Sequence, residues 1–347
     1  MKAIEELLRG AVADGLCVGG AAAVGVGEKT LGTCVGGLVR VGGVPLDSHT
    51  RFDLDALTAL LVPVTLTLLA LERGMLSLGD TLGMLLDAPA DKRAVTVQQL
   101  LTGTSGFPAS LLLEQEATDA DDALRAILKH PLQKTIKPGK ARVDAIVLGK
   151  VLERVYGLPL DEAAKRLVFT PLGMRRTGYL PSGDNIAAAE RDAETGELLS
   201  CVARDENARF QHGVSGHAGV FADCADCARF ASMLACNGLV GGAPFLTPSA
   251  VALLSRDHTP KKAAAVGLGV TLAKRGSTFM GDLWARDGFG VADDAGASIA
   301  VEPQSGLWVV LLLNRACNPR DAERLASLRR RVHNRAKGLL PSAISRA

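Results

Sequence analysis

Two neighbouring side chains in the segment GVSGHAG could take part in nucleophilic catalysis. Ser215 and His217 stand two residues apart in this glycine-rich stretch, and a base beside a hydroxyl is the arrangement that activates serine for attack. However, G-V-S-G-H departs from the G-x-S-x-G elbow, and no strand-then-helix pattern surrounds it. We therefore expect His217 to bond the loop backbone, and a relocated Ser215–His217 catalytic pair is the less favoured alternative.

A second group with chemical potential is the C-x-x-C pair, Cys224 and Cys227, with His212 and His217 upstream. These are residue types that bind zinc. The two cysteines nevertheless lie within a stretch whose small and apolar residues have helical spacing, and a buried position in a helix explains them better. We expect no metal and no cofactor.

The secondary structure that must position these residues is predicted to differ along the chain. Short apolar runs broken by glycine predict strands over 19–44, and strand patterns return at 265–273, 296–303 and 306–316. Most of the segment between them has helical spacing. We predict an α/β (α+β) fold in which residues 1–55 and 259–347 form one domain with an antiparallel sheet. Residues 56–258 form an inserted, mainly helical domain.

Composition excludes several classes of function. The chain has 347 residues, 48 % of them hydrophobic, and a net charge of +2 without a basic block, so we expect no nucleic-acid partner. Seven scattered cysteines do not suggest a disulfide framework. The start lacks signal-peptide features, which predicts a cytoplasmic protein. The uncharged stretch 56–71 contains Pro63 and three threonines and is short for a span, so we expect a buried helix and no membrane contact.

Four stretches together resemble the serine β-lactamase and DD-peptidase superfamily, in its class C-like, penicillin-binding-protein-like branch. They are RFDLDALTALLVPVTLTLLALERGMLSLGD, VQQLLTGTSGFP, the segment ending in PLGMRRTGY, and RDENARFQHGVSGHAGVF. The resemblance covers most of the chain. It implies a β-lactamase/transpeptidase-like fold and hydrolysis through a serine that opens a helix, with a lysine one turn later.

The residues that carry this chemistry are replaced. The serine position falls on Ala56 and the lysine position on Ala59, and neither side chain can attack a carbonyl or accept a proton. The family's Tyr-x-Asn loop is shortened and carries Lys140 and Arg142 instead.

Two further positions also depart from the family. In WARDGFG, Gly288 and Phe289 match the pattern of the family's third motif, but Arg286 stands in place of a His or Lys. The loop histidine of the family is replaced by Gly103. We therefore predict a catalytically inactive homologue, a pseudoenzyme that retains the fold.

Three functions stay open at this point. The favoured one is ligand binding, with Lys140, Arg142 and Arg286 at the rim of the former active-site cleft and Ser215 and His217 beside it. Guanidinium groups suit carboxylates and phosphates, so we expect a small anionic or peptidoglycan-derived ligand. The alternatives are an active serine hydrolase that uses displaced residues and a scaffold for a protein partner that the sequence leaves unknown.

Overall fold

The computed structural model describes residues 1–134, 138–139, 142–188, 190–191, 196, 198–259, 265–274, 279–315 and 321–340. The strands are β1 (Gly19–Val26), β2 (Lys29–Gly37), β3 (Phe52–Asp53), β4 (Gly178–Tyr179), β5 (Glu190–Arg191), β6 (Leu198–Leu199), β7 (Val220–Ala222), β8 (Leu239–Val240), β9 (Ala243–Pro244), β10 (Thr271–Leu272), β11 (Phe289–Ala292), β12 (Ser298–Glu302) and β13 (Leu307–Asn314). The helices are α1 (Lys2–Ala13), α2 (Leu57–Ala59), α3 (Thr65–Glu72), α4 (Leu82–Leu85), α5 (Val97–Thr102), α6 (Leu113–Glu116), α7 (Ala123–Lys129), α8 (Arg142–Tyr156), α9 (Leu160–Ala164), α10 (Glu206–Phe210), α11 (Cys224–Ala235), α12 (Pro248–Ser255) and α13 (Ala322–Lys337).

A six-stranded antiparallel sheet joins the two ends of the chain in the order β10-β11-β12-β13-β1-β2. β13 is apolar on both faces because both faces are covered. Val309 and Leu311 belong to the hydrophobic cluster of α1 and α13, whereas Val310 and Leu312 belong to the cluster that contains α11. The predicted fold class is therefore confirmed, and the division into two domains at residues 55 and 258 stays a prediction.

The uncharged stretch forms one buried helical element that begins with α2 and ends with α3. Between them Leu60–Val64 is π-helical around Pro63, which cannot donate a backbone hydrogen bond. Two threonine hydroxyls bond carbonyls of this turn, from Thr65 to Leu60 O at 2.8 Å and from Thr67 to Pro63 O at 2.7 Å. This bonding explains why threonines are buried in so apolar a segment. No helix in the described part of the chain is long and apolar enough to cross a membrane.

Candidate functional site

The central helical element begins at a tight turn that places Asp55 and Ala56 at a cavity. Asp55 has a φ of 39°, a strained conformation for a residue with a side chain, and its amide donates to Asp53 Oδ1 at 2.9 Å. The Asp55 carboxylate makes no hydrogen bond to the first turn of the helix, although it directly precedes that turn. It pairs with the buried Arg204 instead, at 2.6 Å.

A cavity of about 440 Å³ opens between this turn, α5, α8 and the edge of the six-stranded sheet. Ala56 and Ala59 both line it, as do Arg142 and His217. The nucleophile and lysine positions of the resemblance thus share one cavity with two of the predicted pocket residues. Much of the remaining wall is aliphatic: Val64, Leu100, Leu101, Leu148, Val266, Val270 and Val291.

The first turn of α8 brings Arg142 to the cavity. Its guanidinium is already engaged, because Nη1 lies 2.6 Å from Asp205 Oδ2. Lys140, predicted to stand beside it, lies outside the described residues. Arg142 is therefore a lining residue whose charge is largely balanced by Asp205.

β11, the strand next to the edge strand β10, contributes cavity-lining residues later in the sequence than the matched motif suggested. Arg286 is exposed and, like Gly288, is not among the cavity-lining residues. The physical reason is that β11 begins at Phe289, whose side chain is fully buried in the core. The residues that the strand and its following turn present to the cavity are Val291, Ala292, Asp293 and Asp294.

Ser215 and His217 form a hydrogen-bonded chain with Asp205. Ser215 Oγ lies 2.9 Å from His217 Nδ1, and His217 Nε2 lies 2.7 Å from Asp205 Oδ1. This is the residue set of a serine hydrolase triad. However, Ser215 is 2 % exposed, accepts a bond from Gln211 Nε2 at 3.1 Å and does not line the cavity. The geometry therefore favours a structural serine. The partners of His217 are side chains, not the loop backbone that the sequence suggested.

Asp205 is the centre of this network. Burial alone would raise its pKa, but the hydrogen bond and charge of His217, the charge of Arg142 and the amide of Ala208 hold the pKa well below its usual range. Asp205 is consequently ionised at neutral pH. It fixes Arg142 and His217 at the cavity wall.

Cys224 and Cys227 lie buried in α11, as predicted. Burial raises the pKa of both thiols. Since the thiolate is the form that binds metal and attacks electrophiles, these cysteines act as packing residues.

The sequence did not predict Asp293 and Asp294 as residues of the cavity. Asp55, Asp293 and Asp294 all line it. Asp293 is 1 % exposed, and its Oδ1 accepts bonds from the amides of Gly296 and Ala297 and from Arg329 Nη2. The available signal was the acidic pair in the otherwise small and apolar stretch FGVADDAGAS.

Another buried acid lies in α8, the helix whose Arg142, Ala145 and Leu148 line the cavity. The Ser105 hydroxyl bonds the Asp144 carboxyl in α8 and accepts the Phe107 amide at 2.9 Å. Burial raises the pKa of Asp144 to about 8, although the bond from Ser105 acts in the opposite direction. The proton therefore stays on Asp144 at pH values where an exposed aspartate has lost it.

We expect Asp144→Asn to change how stability depends on pH. Between about pH 4, where the unfolded chain loses this proton, and pH 8, the folded protein retains it, so unfolding becomes easier as pH rises. This one group contributes a slope of up to about 1.4 kcal/mol per pH unit. Urea unfolding at several pH values should show that slope in the difference between wild type and Asp144→Asn. Parallel curves from pH 4 to 8 would contradict the prediction.

Comparison with known proteins agrees with this architecture. A family model described as Beta-lactamase matches residues 4–334. A protein of Salmonella typhimurium (strain LT2), named "Putative D-alanyl-D-alanine carboxypeptidase", is 27 % identical over 296 residues, which cover 74 % of this chain and 65 % of the relative. A protein of the same name from Escherichia coli K12 is 27 % identical over 67 % of this chain and 61 % of its own length. The chain thus spans somewhat less than two thirds of these curated relatives.

Solved structures share the fold at low sequence identity. A penicillin-binding protein homologue from Caulobacter crescentus superposes with a TM-score of 0.78 at 20 % identity, over 96 % of this chain and 97 % of that one. EstCE1, a hydrolase with promiscuous acyltransferase activity, gives 0.76 at 21 % identity over 96 % and 98 % of the two chains.

Proposed function

Since this chain belongs to the Beta-lactamase family, we propose that it is a non-acylating member, which binds a small ligand in the cavity where its relatives form an acyl-enzyme. One observation carries the proposal: Ala56 and Ala59, to which the family resemblance assigns the positions of the nucleophilic serine and its lysine, both line that cavity. Loss of the nucleophile alone costs about 10⁶ in rate in subtilisin, a standard example among serine hydrolases.

The ligand belongs to the same proposal. The D-alanyl-D-alanine carboxypeptidase name of the curated relatives supports a peptidoglycan-derived molecule. The cavity has the volume of a small-molecule site and a mostly aliphatic wall with a few polar groups. Calorimetric titration with muropeptides tests this part, and the absence of heat with the intact protein would remove peptidoglycan fragments as ligands.

The absence of acyl-serine chemistry is tested by covalent labelling. We expect no adduct after incubation with a fluorescent penicillin or with a fluorophosphonate, measured by gel fluorescence and intact mass. A family member with an intact serine and lysine serves as the positive control for the reagents. A stoichiometric adduct on this chain would overturn the proposal.

A working serine hydrolase is the second candidate, because Ser215, His217 and Asp205 are linked by hydrogen bonds of 2.9 and 2.7 Å. Labelling that disappears in Ser215→Ala would establish this alternative. Labelling that survives in both Ser215→Ala and His217→Ala would point to another nucleophile. Our proposal requires that wild type and both variants stay unlabelled.

A further inference from the structure

The described part of the cavity wall carries several acidic side chains. Three carboxylates line it, those of Asp55, Asp293 and Asp294. The cation among the described lining residues is Arg142, whose guanidinium is paired with Asp205. In the described wall acidic side chains outnumber the basic one, and their carboxylates can accept hydrogen bonds from a group of positive charge.

Two of these carboxylates each have one oxygen without a partner. Asp55 Oδ1 and Asp293 Oδ2 are buried and accept no hydrogen bond from the described residues. Both side chains are about 1 % exposed. A buried carboxylate oxygen that accepts no bond is costly, so its presence at a cavity is a sign that something else binds there.

The cations that balance these acids are bonded to the opposite oxygens. Arg204 bonds Asp55 through Oδ2 at 2.6 Å, and Arg329 bonds Asp293 through Oδ1 at 3.2 Å. Each carboxylate thus keeps one oxygen engaged by the protein and one free.

The two free oxygens belong to groups that feel each other's charge. Burial raises the pKa of Asp293, and the negative charge of Asp55 raises it further, against the opposing charge of Arg329. Both residues line the same cavity, and a ligand cation that bonds both free oxygens would satisfy them together. Ala59 lines that space too, and it is the position where the family carries a lysine ammonium.

From this geometry we infer that the cavity binds its ligand through a primary ammonium group, which donates hydrogen bonds to Asp55 Oδ1 and Asp293 Oδ2. The inference rests on the proposed function and specifies the chemical class of the ligand. The ligand supplies the ammonium charge that Ala59 no longer provides, and its apolar body packs on the aliphatic wall. Three donors on one nitrogen suit two free acceptor oxygens.

The first test compares three probes of equal chain length, hexylamine, hexan-1-ol and hexanoate, by calorimetric titration at pH 8. Hydrogen bonds to charged groups contribute about 1.5–3 kcal/mol, which corresponds to roughly 10–150-fold in affinity. We expect hexylamine to bind at least tenfold more tightly than the alcohol, and hexanoate to bind most weakly. Equal affinity for the amine and the alcohol, or no binding of the amine, would overturn the inference.

Two variants locate the site. Asp293→Asn keeps an oxygen for the amides of Gly296 and Ala297 but turns the free acceptor into an NH₂ donor, so hexylamine affinity should fall at least tenfold. Asp294→Asn removes the same charge at the exposed edge of the cavity and should weaken binding less than threefold. Ala59→Lys places an internal ammonium in the cavity and should also reduce hexylamine affinity at least tenfold.

Circular dichroism and thermal unfolding establish that each variant is folded. If Asp293→Asn does not fold, Ala59→Lys still decides the matter. Unchanged hexylamine affinity in a folded variant of either kind would overturn the inference. Covalent labelling tests the proposed function independently, because an unlabelled protein that binds amine and alcohol alike is still a non-acylating binder.

Discussion

Replacing Arg204 with Met should lower the free energy of unfolding by about 3–5 kcal/mol at pH 7. Arg204 is 9 % exposed and Asp55 is 1 % exposed. The Arg204 guanidinium pairs with the Asp55 carboxylate at 2.6 Å. Met fills most of the volume but leaves the Asp55 carboxylate buried and uncompensated, with its second oxygen already lacking a partner. Breaking a buried pair from one side is costly because the remaining charge cannot be hydrated. Chemical denaturation at constant pH measures the change.

Two further variants separate this effect from the general loss of an arginine. Arg166→Met removes the exposed partner of Glu162 in an i,i+4 pair and should cost no more than about 0.5 kcal/mol. The double variant Arg204→Met with Asp55→Asn removes both charges and should recover a large part of the lost stability. If the double variant is no more stable than Arg204→Met alone, an uncompensated Asp55 is not the cause.

The sequence was sufficient for those features that follow from local pattern. The apolar run that became β13 and the uncharged helical stretch both show their structure in residue types alone. The family resemblance implied that Ala56 and Ala59 lie at the former active-site cleft, and a spacing of three puts both on the same face at the start of a helix. The family resemblance supplied the rest of the architecture.

Features that depend on tertiary contact were harder to predict. Asp55 and Asp293 line the same cavity although more than two hundred residues separate them, and nothing in either local sequence indicates that one oxygen of each lacks a partner. Arg286 has a residue type suited to the third family motif, but the position at which β11 enters the core is set by Phe289. Arg286 was matched to the family motif by residue type alone, and it lies five residues before Val291, the first residue of β11 that lines the cavity.

The altered family positions are also less independent than the sequence suggests. Gly103 ends α5 with a φ of 63°. A Cβ built on Gly103 would lie 2.3 Å from the carbonyl oxygen of Gly139, in the shortened loop that precedes α8. Gly139 therefore occupies the space that a side chain at 103 would need, which links the two positions that the resemblance assigns to the loop histidine and to the Tyr-x-Asn loop.

This contact makes Gly103→Ala a destabilising change with a defined structural cause. We expect it to lower the free energy of unfolding by about 2–4 kcal/mol, part from left-handed backbone strain and part from overpacking against Gly139. Gly157 is the matched control, because its φ is 64° and a Cβ there meets nothing within 4 Å. Gly157→Ala should therefore cost only the strain, about 1 kcal/mol. Equal losses in the two variants, measured by urea unfolding, would mean that the Gly139 backbone moves aside freely. In that case the contact with Gly139 would not explain the absence of a side chain at position 103.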